Sequence, residues 1–123
     1  MPMMKAHIQS GHTREQKAVL IGAYTDAIAK TLGMPLPTIR VMLEELPPGA
    51  SGVAGVIDAP LTIIEVFMME GRTELQKADL IDGLTKATAE SLGVFGESVR
   101  VLLHDMPKIN VGIGGKSAKA LGR

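Results

Sequence analysis

The chain has 123 residues, of which 46% are hydrophobic and only 2% aromatic, and its formal net charge is zero. This length suits one compact domain, while neutrality and scarce aromatic side chains exclude the usual means of binding nucleic acids or anionic membranes. Without cysteine it has neither disulfides nor a thiolate site. Because the first residues also lack the apolar stretch of a signal peptide, we expect a cytoplasmic protein with no nucleic-acid or membrane partner.

An ungapped internal repeat with an offset of 60 residues organises the chain. Gly11 recurs as Gly71, and the pair Arg40-Val41 recurs as Arg100-Val101. We therefore expect one domain over residues 1–123, built from two units. The first covers 1–59 and ends in a linker at 49–59, and the second covers 60–123.

Each unit has the pattern of a strand, a helix and a second strand. Thr13 with Gln16, and Thr73 with Gln76, have the spacing of a capping box, and apolar residues follow each at helical spacing over about five turns. The predicted strands, in chain order, are 3–9, 39–44, 63–69 and 99–104. The sequence thus predicts an α+β fold in which two tandem β-α-β units form a four-stranded sheet with two helices on one face.

The other face of such a sheet has no cover, so we expect the chain to associate through it. The glycine-rich segments at 52–55 and 112–115 predict tight turns or small hairpins that pack on a neighbour. The basic segment 116–123 is expected either to be loose or to pin a neighbouring chain.

Pro2 is the first candidate for chemistry. If Met1 is removed, Pro2 carries a free secondary amine, whereas retention of Met1 leaves an amide that cannot act as a base. An apolar pocket and nearby arginines would lower the pKa of that amine toward neutrality. A Met-Pro start is also common without any role, so Pro2 needs support from other residues.

Arginines give that support. Arg40 and Arg100 occupy equivalent places in the second strands, and Arg72 precedes a helix cap. Guanidinium groups in such places either form salt bridges within the chain or bind a carboxylate ligand. The histidines at positions 7, 12 and 104 have no metal-ligand spacing, and no glycine-rich segment is followed by the Gly-Lys-Ser/Thr of a phosphate loop. We expect no cofactor and no metal.

The combination of these motifs resembles the 4-oxalocrotonate tautomerases, and in particular fused members with two short subunits in one polypeptide. The resemblance rests on the run at 63–77, with its Gly-Arg-Thr and Gln-Lys, on Arg100-Val101 and the glycines at 112–115, and on Pro2 with Arg40-Val41 in the first unit. It covers nearly the whole chain.

The resemblance implies a homotrimer that tautomerises an unsaturated dicarboxylate such as 2-hydroxymuconate. It makes Pro2 the general base and Arg72 the clamp of one carboxylate. Arg40 or Arg100 of a neighbouring chain would bind the other carboxylate. The family's pocket aromatic falls on Ser51 in one unit and Val111 in the other, so we expect a less apolar pocket.

The two units depart from the family pattern in complementary ways. At an offset of 60, Thr62 takes the place of Pro2 and His12 takes the place of Arg72. One unit keeps the proline and the other keeps the arginine. If Pro2 works with the arginine of the other unit, as the resemblance implies, each chain has one intact site, formed by Pro2 and Arg72. Two alternatives stay open: a hydratase or dehalogenase of 3-haloacrylates in the same superfamily, which needs a carboxylate facing Pro2, and a non-catalytic trimer that binds an anion.

Overall fold

A computed structural model describes residues 2–123, so Met1, whose removal the proposed chemistry of Pro2 requires, lies outside the described residues. The elements in chain order are β1 (Met3–Gln9), α1 (Arg14–Leu32), β2 (Arg40–Leu46), β3 (Gly52–Val53), β4 (Val56–Ile57), β5 (Thr62–Met69), α2 (Glu74–Leu92), β6 (Val99–Met106), β7 (Gly112–Ile113) and β8 (Lys116–Ser117). Two successive strand-helix-strand units confirm the α+β class predicted from the repeat.

Both helices begin at the predicted capping boxes. The hydroxyl groups of Thr13 and Thr73 each accept a hydrogen bond from the backbone N–H three residues later, at 3.1 Å in both cases. Each helix then runs for 19 residues to a glycine with positive φ, 64° at Gly33 and 67° at Gly93. Such a conformation is free of strain only for residues like glycine, which explains why both helices end at the same place in the repeat.

The four long strands form one sheet in the order β2-β1-β5-β6. Strands of the same repeat pair in parallel, as their helical crossovers require. The two repeats meet at β1 and β5, which pair antiparallel with Met3 opposite Phe67. The start of β1 therefore lies beside the end of β5, and the start of β5 beside the end of β1.

Both helices cover the same face of the sheet, as predicted. The core between them is fully buried and consists of alternate strand residues and of one stripe from each helix: Met4, Ala6, Ile8, Ile64, Val66, Met68, Leu20, Tyr24, Ile28, Leu80 and Leu84. The opposite surface, here called the open face, carries Met3, Met42, Ile63, Phe67 and Leu102. Met42 and Leu102 are 43% and 51% exposed, so apolar surface remains uncovered in the single chain.

The strand ends differ from the sequence-based boundaries. β2 ends at Leu46 and β6 at Met106, two residues beyond the predicted ends, because their parallel neighbours continue to Gln9 and Met69 and pair with them. Glu45 lies within this extended part of β2, where its carboxylate accepts a hydrogen bond from Lys17 Nζ at 2.6 Å.

The two glycine-rich segments form the predicted hairpins, β3 with β4 and β7 with β8. The basic tail is folded onto the second hairpin rather than loose. Ala118 is fully buried, its N–H donates to the Val111 carbonyl at 2.8 Å, and the Arg123 N–H donates to the Ala118 carbonyl at 2.9 Å. Within residues 2–123, neither helix combines the length and apolar character needed to cross a membrane.

Candidate active site

The antiparallel contact between the repeats brings Pro2 and Arg72 together. Pro2 directly precedes β1 and is buried, while Arg72 follows the neighbouring end of β5. Gly71 turns the chain between Met69 and the cap of α2 with a φ of 108°, a conformation that favours glycine. A residue from the first repeat and one from the second therefore share one end of the sheet, here called the Pro2 end.

Two further predicted site residues reach the Pro2 end through the parallel strand pairs. Arg40 opens β2 beside Met3, and its backbone N–H donates to the Pro2 carbonyl at 3.1 Å. Val111, which is 5% exposed, follows β6 after the short helical turn Lys108–Asn110. The structure thus assembles Pro2, Arg40, Arg72 and Val111 without any partner chain.

These four residues line one cavity of about 1090 Å³. Its remaining walls come from the start of β1, the segment after α1, the end of β5 with the start of α2, and the chain from the end of β6 onward, and their surface is mostly apolar: Met3, Met34, Pro35, Pro37, Thr38, Phe67, Met68, Met69, Glu70, Gly71, Gln76, Met106, Lys108, Asn110, Gly112, Ile113, Gly114 and Arg123. A mostly apolar hollow with a few convergent polar groups is the usual form of a small-molecule site.

The charge in this cavity is mainly positive. Arg40, Arg72, Lys108 and Arg123 line it, and within residues 2–123 Glu70 is the acidic residue among the lining groups. Over the same residues, none of the ion pairs involves Arg40, Arg72 or Arg100, the three arginines predicted to bind substrate. A guanidinium without a carboxylate partner in its own chain is available for an anionic ligand.

The Arg72 side chain is partly buried, and its guanidinium is held by hydrogen bonds to the segment at the end of α1. Its Nη1 donates to the Leu32 carbonyl at 2.8 Å, and its Nη2 to the Met34 sulfur at 3.2 Å. Leu32 is the last residue of α1, where carbonyl groups lack partners within the helix. The remaining N–H groups of the guanidinium are left for a ligand in the cavity.

The other end of the sheet, here called the Thr62 end, holds the equivalent residues of the opposite repeat. Thr62 begins β5 and is 3% exposed, and Arg100 lies opposite Ile63. Gln9 Nε2 donates to the Asp58 and Ala59 carbonyl groups at 3.1 and 3.0 Å. These contacts hold the linker against the end of β1. The linker continues into β5, so Thr62 is an internal residue whose nitrogen is an amide.

Arg100 and Ser51 do not line the cavity at Pro2. The Ser51 carbonyl accepts a hydrogen bond from the Asp58 N–H at 2.9 Å, which places Ser51 at the Thr62 end with Arg100. The predicted contact of Arg100 with substrate thus requires a neighbouring chain and stays a prediction.

Sequence reasoning did not single out Met34, Lys108 or Glu70. The repeat carried one signal for them, because each differs in residue type from its counterpart at an offset of 60: Val94, Pro48 and Ser10. Several of the positions at which the two repeats diverge line the cavity at the Pro2 end.

The histidines lie mainly on the open face. His7 is 3.3 Å from Glu44 and 3.7 Å from Glu65, and His104 is 3.1 Å from Glu65. The imidazole of His104 also stacks on Phe67, with ring centroids 4.5 Å apart. In the part of the chain that the structure describes, His, Asp and Glu side chains do not assemble into a group suited to a metal ion.

A family model described as "Tautomerase enzyme" matches residues 5–58 and again residues 60–121. A curated relative, the 2-hydroxymuconate tautomerase of Comamonas testosteroni, is 49% identical over 59 residues. That match covers 48% of this chain and 94% of the relative. The relative is thus about as long as one repeat.

Two solved structures extend the comparison to the whole chain. A fused 4-OT, described as a wild-type symmetric trimer, is 39% identical with a TM-score of 0.94, and the match covers 98% of this chain and 99% of that one. A member of the cis-3-chloroacrylic acid dehalogenase family is 25% identical with a TM-score of 0.85. Here 94% of this chain and 82% of the other are covered.

Proposed function

We propose that this chain, which belongs to the tautomerase family of enzymes, catalyses keto–enol tautomerisation of an unsaturated 2-hydroxy or 2-oxo dicarboxylate such as 2-hydroxymuconate. One observation carries this proposal: Pro2, Arg72 and Arg40 line the same cavity. A buried amine beside two cations suits a substrate that is an anion and must lose and regain a proton.

Pro2 acts as the base in this proposal. After Met1 is removed, its nitrogen takes the proton from the enol oxygen of the substrate and returns it to a carbon of the conjugated chain. Burial of Pro2 and the positive charge of Arg40 and Arg72 both favour the uncharged amine, which is the form that accepts a proton. The reaction needs no net change of redox state.

The arginines bind the substrate and stabilise the charge that develops. Arg72 grips one carboxylate, and Arg40, at the other side of Pro2, is available to the second carboxylate and the 2-oxygen. Negative charge spreads over that end as the proton leaves, so a fixed guanidinium lowers the barrier. Val111 supplies apolar wall in the cavity that Pro2 also lines, and Ser51 has the matching place in the other unit.

We further propose that the chain is a homotrimer, a pseudo-hexamer of the units 1–59 and 60–123, located in the cytoplasm. The exposed Met42 and Leu102 support association through the open face, and the fused 4-OT structure similar to this chain is a trimer. In such an assembly Arg40 or Arg100 of a neighbouring chain can complete the site.

A dehalogenase or hydratase of 3-haloacrylates is the second candidate. It requires a carboxylate to activate water while Pro2 donates a proton, and Glu70 lines the cavity with Pro2. The similarity to a member of the cis-3-chloroacrylic acid dehalogenase family also favours it. A binding protein for an anionic metabolite remains the non-catalytic alternative.

The assay that decides among these follows ketonisation of 2-hydroxymuconate by ultraviolet absorbance, with Pro2→Ala beside the wild type. We expect turnover that collapses in the variant. Halide release from 3-chloroacrylate, lost in Glu70→Gln, would instead establish the second candidate. Binding of a dicarboxylate without turnover of either substrate would leave the non-catalytic protein.

A further inference from the structure

The Arg72 side chain is held by the repeat to which it does not belong. Its two terminal nitrogens bind the Leu32 carbonyl at 2.8 Å and the Met34 sulfur at 3.2 Å. We infer that Met34 and the carboxyl end of α1 are a positioning socket, which fixes the Arg72 guanidinium for carboxylate binding before the substrate arrives. The inference rests on the proposed function in taking Arg72 as the carboxylate clamp.

The end of α1 attracts a guanidinium for a general reason. Carbonyl groups in the last turn of a helix lack intrahelical partners, and the helix dipole makes that end partly negative. At the end of α2, by contrast, the Gly93 N–H closes the last turn on the Ala89 carbonyl at 2.9 Å. Arg72 thus caps α1, and the Leu32 carbonyl gives its guanidinium one fixed contact.

Met34 supplies the second contact and so determines orientation. A guanidinium held through one nitrogen can pivot about that bond, whereas contacts on both terminal nitrogens fix its plane. Met34 is partly buried and packs against the core, which restrains its polarizable thioether at the Arg72 side. Ordering the guanidinium in the free protein reduces the entropy lost when the carboxylate binds.

The other repeat lacks both members of this arrangement. At an offset of 60, Val94 stands for Met34 and His12 stands for Arg72. The thioether and the guanidinium are thus both absent at the Thr62 end, and both present where Pro2 lies. Val94 therefore gives a matched control position for substitutions.

The first test uses the ligand-free protein and does not depend on turnover. Nitrogen-15 NMR of the guanidinium groups measures how fast the Arg72 terminal nitrogens exchange by rotation. We expect slow rotation in the wild type, fast rotation in Met34→Leu, and slow rotation in Met34→Gln, whose side-chain oxygen is again an acceptor. Val94→Leu should leave rotation unchanged. Equal rotation in the wild type and Met34→Leu would overturn the inference.

The second test measures the consequence for ligands. Met34→Leu conserves volume and should weaken binding of muconate, an unreactive dicarboxylate, about threefold to tenfold by calorimetry. KM should rise likewise while kcat stays within about twofold. In the Arg72→Ala background Met34→Leu should have no further effect, since coupled residues are non-additive. An equal loss in both backgrounds would contradict the inference.

Failure of the proposed function has a different signature. If the wild type binds muconate but turns over no substrate, and Met34→Leu still frees the guanidinium and weakens binding, the socket stands and the tautomerase proposal falls. If turnover is normal and Met34→Leu changes neither guanidinium rotation nor muconate binding, the tautomerase proposal stands and the socket falls.

Discussion

Replacing Arg72 by alanine removes a side chain that contributes both to the site and to the fold. Loss of one fixed electrostatic contact to the reacting anion should lower kcat/KM about 100-fold to 1000-fold, or roughly 3–4 kcal/mol. The change also deletes the hydrogen bonds to the Leu32 carbonyl at 2.8 Å and the Met34 sulfur at 3.2 Å. At about 0.5–1.5 kcal/mol for an ordinary hydrogen bond, the partly buried pair implies a loss of about 1–2 kcal/mol in unfolding free energy.

Initial rates of 2-hydroxymuconate ketonisation give the first quantity, and urea denaturation gives the second. His12→Ala is the matched control, because His12 has the same register in the other repeat; its kcat/KM should stay within about twofold of the wild type. The reasoning is refuted if Arg72→Ala keeps wild-type kcat/KM, or if His12→Ala loses as much activity as Arg72→Ala.

Three further changes test other parts of the account. Burial raises the pKa of Tyr24, the single tyrosine, to about 12, although its hydrogen bond to Thr88 acts in the opposite direction. Below pH 10 the protonated phenol should therefore stabilise the fold by about 2–3 kcal/mol relative to the ionised one, a contribution lost between about pH 10 and 12. Denaturation should show this slope in the wild type and lack it in Tyr24→Phe, and equal slopes would contradict it. Leu102→Glu puts a charge on the open face and should reduce the proposed trimer to smaller species in analytical ultracentrifugation; a trimer that stays intact would locate the interface elsewhere. Val111→Asp should pair with the cavity cations and lower kcat/KM at least about tenfold, while Ser51→Asp should not, and equal effects would oppose the assignment of Val111.

The repeat made the fold predictable. Local signals, such as the Thr13 capping box, predicted where the helices begin, because capping depends on residues only a few positions apart. The ends of the strands were harder to predict from the sequence, since Leu46 and Met106 belong to strands only because a parallel neighbour continues beside them. That pairing connects residues distant in sequence.

Several residues of the candidate site could be named from the sequence, whereas their geometry could not. Pro2 and Arg72 were paired through the family resemblance, and the antiparallel contact of β1 with β5 supplies the physical reason they meet. The contact between Arg72 and Met34 depends on the same long-range pairing, and the sequence around Met34 has no local pattern that predicts it. Comparing the two repeats position by position would have pointed to it.

The central claim is that the free amine of Pro2 is the catalytic base, and acylating that nitrogen tests it most directly. A chain with one glycine inserted before Pro2 keeps every side chain of the cavity but turns the amine into an amide. Its kcat/KM for 2-hydroxymuconate should fall by at least about 1000-fold relative to the chain that begins at Pro2, as general-base contributions of this size imply, with intact-mass measurement confirming both termini. Equal activity of the two chains would contradict the claim.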